Sequence, residues 1–247
     1  MPEPVILREN VAHLPGPPAL CVALRRSARA RRLSLRVSGL DGRATLTLPQ
    51  RFPMADALAF LREKEGWLRR ALAQVPDRQV MAPGAKILLQ GRVLRLEAGS
   101  DRRVRAEGGT LLVPADPDGT RTGPRLEAFL KTSARAALLP AVDRYTERLG
   151  RPARAVTLRD TRSRWGSCTA DGRLMFSWRL IMAPPEVLDY VAAHEVAHLA
   201  HMDHSRAFWD CVGRLMPDYG AHRGWLRAHG AQLHGYQFRA RAPGDSG

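Results

Sequence analysis

The sequence predicts an α+β fold, rich in strands at the front and in helices at the back. Three observations carry that expectation. Residues 33–48 alternate apolar and polar with the period of a half-buried strand, and residues 54–72 and 125–149 carry apolar side chains at helical spacing. A Pro/Asp/Gly cluster from Pro114 to Pro124 separates the two textures. A length of 247 residues with 45% hydrophobic content is enough for one large domain or two small ones, and excludes wholesale disorder. The expected organisation is a β-rich region with one helix over 1–118, a second domain over 119–238, and a disordered tail over 239–247.

Each element has its own reason. Leu33, Leu35 and Val37 alternate with Ser34 and Arg36, and Leu46 and Leu48 alternate with Thr45 and Thr47 beyond the turn-rich residues 39–42. The pair reads as a hairpin. Leu58, Leu61, Trp67, Leu68 and Leu72 then set a helix from Met54 to about Leu72. Four short strand-like stretches follow, near 85–90, 92–97, 102–106 and 110–114. A long helix from about Arg125 to Leu149 should break or kink near Pro140, which has no N–H to donate. Strands are expected at Ala155–Arg159 and Arg173–Trp178, flanking TRSRWGSC (161–168). Pro184 and Pro185 open a helix to about Met202, since a first turn tolerates proline. Two more helices are expected, from about Ser205 to Met216 and from Asp218 to about Leu233.

Charge is the first unusual feature: 39 basic against 24 acidic residues give +15. Only Lys64, Lys86 and Lys131 are lysine, so 36 of the 39 are arginine. Such an excess suits a polyanionic partner, but arginine with abundant alanine and glycine is also what a GC-rich coding bias writes on an ordinary surface. The cluster Arg25, Arg26, Arg29, Arg31 and Arg32 predicts weak, sequence-independent nucleic-acid binding. Cys21, Cys168 and Cys211 stand far apart and form no CxxC pair, which reads as a reduced, cytoplasmic protein without a disulfide framework. No run of about 18 apolar residues is present. The N-terminal stretch lacks a basic segment followed by an apolar one, so neither a membrane anchor nor a secretory signal is expected.

Chemistry concentrates in His194-Glu195-Val196-Ala197-His198, an HExxH placed within a predicted helix. Residues four apart differ by about 40° around a helix and about 6 Å along it, so both imidazoles can reach one ion. Glu195 sits beside that seam, where a carboxylate can act on water without capturing the metal. The pair continues the apolar stripe of Val187 and Val191, and two inward histidines without a partner would be costly. A catalytic zinc needs a third protein ligand. His201 continues the same stripe, so it would approach from the same side of one rod. His204 follows a point where the chain can turn and precedes Ser205, a plausible N-cap, so it approaches from a second direction and is the preferred third ligand. His222, His229 and His234 are outside candidates.

These residues carry a resemblance. The segment HEVAHLAHMDHSRAFWDCVGRLMPDY (194–219) resembles the YgjP-like zinc metallopeptidases, which are related in motif to the SprT and WLM groups. The shared features are HExxH followed by His204-Ser205 and Phe208-Trp209, the upstream RSRWGSC (162–168), Phe176-Ser177, and Pro217-Asp218-Tyr219. RRSARARRLSLRV (25–37) resembles the family's basic N-terminal strand, and Phe60 through Trp67 its following helix. The likeness covers most of the chain and is tightest over 162–219. It implies a zincin-like minimal metallopeptidase core, an HExxH helix plus a small sheet, behind a β-rich N-terminal region. It also implies one Zn2+ per chain on His194, His198 and His204, with Glu195 as the general base that drives zinc-bound water onto a peptide bond of a protein or peptide substrate.

Several subsidiary expectations follow. The strand at 173–178, if it edges the cleft, would hold an extended peptide by β-addition. Trp165 and Cys168 should pack under the site, with Gly166 permitting a tight turn. Tyr219 should pack against the site helix, in preference to serving an oxyanion. Two other classes compete. The H-x3-H-x5-H spacing is also similar to the metal motif of rRNA-maturation endoribonucleases, and the positive charge suits an RNA-processing hydrolase. That motif carries glycine where this chain has Glu195. A binding module with structural zinc would want a fourth protein ligand, and Cys211 falls two turns along the next helix, where a core thiol is expected.

Overall fold

In the computed structural model, which describes residues 5–39, 42–73, 75 and 79–239, the N-terminal alternation becomes a five-stranded sheet. Its strands are β1 (Ile6–Arg8), β2 (Val11–Leu14), β3 (Leu20–Ser27), β4 (Ser34–Val37) and β5 (Ala44–Pro49), in the order β1-β2-β3-β5-β4. The expected hairpin is the antiparallel pair β4 and β5, whose turn residues 40 and 41 lie outside the described residues. β5 runs parallel to β3 on its other side, with Arg25 opposite Thr47. Alternation sends Ala44, Leu46 and Leu48 inward, where Leu61 and Leu68 of two helices meet them. These helices, α1 (Met54–Glu63) and α2 (Glu65–Ala73), replace the single one expected over 54–72. Lys64 adopts φ −90°, ψ 4°, outside the helical well, and Gly66 just beyond it weakens propagation.

The chain divides into two compact units, Met1–Asp77 and Arg78–Gly247. The division falls at 77/78, not at the expected 118/119. In the second unit come β6 (Gln79–Val80), β7 (Lys86–Leu89), β8 (Arg92–Gly99), β9 (Arg105–Glu107) and β10 (Thr110–Pro114), the last four forming a sheet in the order β7-β8-β10-β9. Ile87, Leu96, Leu111 and Val113 share one apolar core with Leu126, Leu130 and Leu138 of α3 (Thr122–Leu149). The Pro/Asp/Gly stretch therefore joins two parts of one core. Asp116 within it accepts hydrogen bonds from the Arg121 and Thr122 amides, both at 2.7 Å, and so starts α3.

α3 runs unbroken through Pro140, against the expected interruption. Leu138, Ala141, Val142 and Tyr145 are buried on either side of the proline, and that packing holds the helix across one missing hydrogen bond. Gly150, left-handed at φ 71°, ends it. A three-stranded sheet follows, β11 (Ala155–Arg159), β12 (Gly166–Cys168) and β13 (Arg173–Ser177), in the order β11-β13-β12. A buried 3-10 turn at Trp178–Met182 leads to α4 (Pro185–Ala197), α5 (Arg206–Leu215) and α6 (Tyr219–His229), and β14 (Tyr236–Gln237) returns to pair with β6. Buried Arg179 grips Asp160 with two nitrogens, at 2.6 and 3.1 Å, and donates to the Leu233 and Tyr236 carbonyls, tying the C-terminal segment down. Arg239, at the head of the expected disordered tail, instead donates to Glu127 at 3.1 Å; residues 240–247 lie outside the described residues. No described helix is long and apolar enough to cross a membrane.

Candidate active site

Helix α4 carries the motif to its very end. It stops at Ala197, with His198 as its C-cap in helical conformation (φ −65°, ψ −20°), where the expectation ran on to Met202. The amides of Leu199 and Ala200 bond back three residues, to Val196 and Ala197, so the final turn tightens and the chain reverses. Ser205 then caps α5, its hydroxyl accepting from the Phe208 amide at 3.4 Å, as its sequence position suggested. The reversal delivers His204 to His194: their Nε2 atoms stand 3.3 Å apart. Ligand nitrogens of His194, His198 and His204 all lie within 4.8 Å of one another. Two nitrogens bound tetrahedrally at about 2.0–2.1 Å would sit about 3.3 Å apart.

Aromatic packing from α5 sets the three rings. Buried Phe208 stacks on His198 at 4.4 Å between centroids and meets His194 and His204 edge-on at 4.9 Å each. His198 Nδ1 donates to the His201 carbonyl at 2.9 Å, which leaves Nε2 with the free lone pair. His201 thus contributes its backbone and not its ring. Burial, reinforced by the other two histidines and Arg223, holds the His194 imidazole down to about 3, and burial also lowers His198. Neutral imidazoles converging on one point suit a divalent cation. His194 Nδ1 is buried without a hydrogen-bond partner among the described residues.

Glu195 lies one residue round the helix and is only 5% exposed. Burial pushes its carboxyl up to about 8, opposed by the positive charge of Arg164. Gly166 makes room for it. A Cβ at that position would stand 2.5 Å from both Cγ and Oε1 of Glu195. The glycine therefore belongs to an extended strand pressed on the site helix, not to the tight turn expected there. Burial first, then Glu195 and Asp171, push the Cys168 thiol up to about 11, so it rests protonated. Trp165 packs against His234, with ring centroids 4.7 Å apart and planes tilted by 31°.

Other expectations sort as follows. β13 is the central strand of its sheet, so it has no free edge; β12, beside Glu195, does. Tyr219 stacks with Trp209 at 5.5 Å and Tyr190 at 6.4 Å, a packing role. His222 pairs with Asp218, His229 lies against Trp225 and His234 against Trp165, so none joins the metal group. Cys211 is a buried core thiol. Arg25, Arg26, Arg29, Arg31 and Arg32 are exposed and make no ion pair among the described residues. The sequence reasoning missed Arg223, whose guanidinium lies 4.2 Å over Trp209 with no carboxylate partner among the described residues. Its only signal was its helical spacing from Tyr219.

A family model described as YgjP-like, metallopeptidase domain, matches residues 31–229. No curated protein matches the chain. Among solved structures, the crystal structure of the metallopeptidase zymogen of Pyrococcus abyssi abylysin is similar, with 21% identity and a TM-score of 0.34 over 38% of this chain and 92% of that one.

Proposed function

The chain belongs to the YgjP-like metallopeptidases, and from that premise we propose a zinc-dependent peptidase with a zincin-like core that hydrolyses peptide bonds in proteins or peptides. His194, His198 and His204 hold one Zn2+ per chain, and Glu195 is the general base. The observation that carries this reading is the 3.3 Å approach of two imidazole nitrogens next to a buried carboxyl. Zinc held there supplies a Lewis acid that acidifies water and polarises a carbonyl. Glu195 takes the proton of the attacking water on its carboxylate and returns it to the leaving amine. Arg164 opposes the burial only in part, and a bound dication would add to its pull toward the carboxylate form that this role begins from. The His201 carbonyl fixes the tautomer of His198, and Phe208 fixes its ring plane. β12, with its free edge beside Glu195, takes over the peptide-docking role expected of the strand at 173–178.

Glu195, where the endoribonuclease motif has glycine, supports peptide over RNA hydrolysis. A separate, weak nucleic-acid contact through Arg25, Arg26, Arg29, Arg31 and Arg32 is supported by their exposure, which leaves their charge free for phosphates. Three free cysteines support a cytoplasmic setting.

Elemental analysis of alanine variants, with digestion of denatured protein and structured RNA, tests the reading. His204→Ala should lose zinc and His201→Ala should keep it, and the wild type should cut the protein only. The reverse metal pattern, or cleavage of RNA alone, overturns it.

A further inference from the structure

Beside the three histidines a cavity of about 330 Å³ opens between the β12–β13 turn and the chain leaving α4. His198, Leu199 and Met202 line one side, Asp171 and Gly172 another, and Arg151 also lines it. Its two charged side chains are not equivalent. Asp171 is already satisfied: it accepts from Thr169 at 2.5 Å, Arg173 at 2.8 Å and Arg154 at 3.0 Å. These contacts hold its carboxyl at about 2. The Arg151 guanidinium makes, among the described residues, a single hydrogen bond, from Nη1 to the Leu199 carbonyl at 2.7 Å, and has no carboxylate partner there. One N–H is spent on fixing the guanidinium, and four remain for a ligand. Glu147, the nearest acid along the chain, makes no ion pair with it among the described residues, and Asp203, in the segment leaving α4, is turned to the Ser205 amide.

Position matters as much as charge. His198 belongs both to the metal group and to this cavity. The cavity also lies where β12 runs out at Cys168 into Thr169, so a peptide extended along β12 passes over it. Leu199 and half-exposed Met202 offer apolar wall to methylene groups, and the spare guanidinium offers charge to whatever ends them. An aliphatic stem with a terminal anion satisfies both.

We propose that this cavity is a specificity subsite that receives an acidic side chain of the substrate, glutamate above all, through Arg151. The proposal rests on the peptidase reading, and its test has two arms. In the first, products from denatured proteins are sequenced: the wild type should enrich an acidic residue at one fixed position from the cut, and Arg151→Glu should exchange it for lysine or arginine there. In the second, the non-cutting Glu195→Gln protein is titrated with a labelled glutamate-containing peptide and its lysine counterpart. Arg151→Glu, added to that background, should weaken the first by about two- to five-fold, the range of exposed ion pairs, and strengthen the second. Digestion without acidic enrichment, or with enrichment that survives Arg151→Glu, overturns the subsite and leaves the peptidase intact. Absence of any digestion overturns the peptidase reading, and then equal binding of both peptides by both proteins overturns the subsite as well.

Discussion

The two units bury different things. In the first, each buried side chain among the described residues is apolar: Leu14, Val22, Leu46, Leu48, Leu61, Leu68 and three alanines, with Leu20. The second buries Thr122, Glu127, Ser177, Arg179, Glu195 and His198 as well. Burying a polar group costs free energy unless it is paired, so each must have a reason. Arg179 and Glu127 have theirs in ion pairs that fasten the C-terminal segment. Glu195 and His198 have no such structural purpose. Ser177 Oγ is also buried without a partner among the described residues, but it stands alone, whereas Glu195 and His198 stand together at the end of α4, which is why the contrast points there for chemistry.

The largest effect that would break this contrast comes from Glu195→Gln. The amide keeps the size of the side chain and removes the proton acceptor. Peptide hydrolysis should fall by about 10²–10⁴-fold, the usual value of a positioned general base, while zinc content and the circular dichroism spectrum stay unchanged. Cleavage near the wild-type rate would make Glu195 one more structural polar group.

Gly166→Ala sharpens the same point from the strand side. Its Cβ would press on Glu195 at 2.5 Å, so either β12 or the carboxyl must shift. Misplacing a reacting group by about 1 Å costs on the order of 10²-fold, so kcat should drop with little change in zinc content. A variant with unaltered kcat would show that the close fit has no part in catalysis.

These two residues also show what the sequence made legible. The HExxH spacing, the His204 turn and the Ser205 cap are local, and each was readable because helix geometry or capping chemistry fixes it within a few residues. Gly166 was misread because its reason lies about 30 positions away in Glu195, and a glycine's lack of Cβ does not say which neighbour needs the space. The unit boundary was misplaced for a related cause: turn residues at 114–124 look alike whether they separate two cores or connect parts of one. Pro140 does not break α3, the first of the two outcomes expected there, because propensity is local while the packing of α3 is not.

A pair of core truncations compares the units directly. Leu46→Ala in the first unit should cost about 2–5 kcal/mol, and Phe208→Ala in the second about 3–5 kcal/mol, read by denaturant unfolding. Phe208 also orients all three histidines, so its loss should weaken zinc affinity, measured by competition with a chelator, whereas Leu46→Ala should not. Equal zinc affinities in the two variants would reduce Phe208 to a core residue like Leu46.

The smallest effect concerns acid. Burial first, then Arg179, holds His234 down to about 4 from 6.5. Between those values the unfolded chain binds a proton that the folded one does not, so stability must fall as pH drops from about 6.5 toward 4, and is unaffected above. The group is part-exposed, so the loss is on the order of 1 kcal/mol after screening. His234→Phe keeps an aromatic ring against Trp165 and removes the titrating nitrogens. Denaturant unfolding can be followed by tryptophan fluorescence in a Trp67→Phe background, since the other four tryptophans, Trp165, Trp178, Trp209 and Trp225, lie in the second unit. It should show a shallower loss of stability between pH 6.5 and 4.5 in the variant than in the wild type. Identical slopes would mean that this imidazole does not set the acid sensitivity of the second unit.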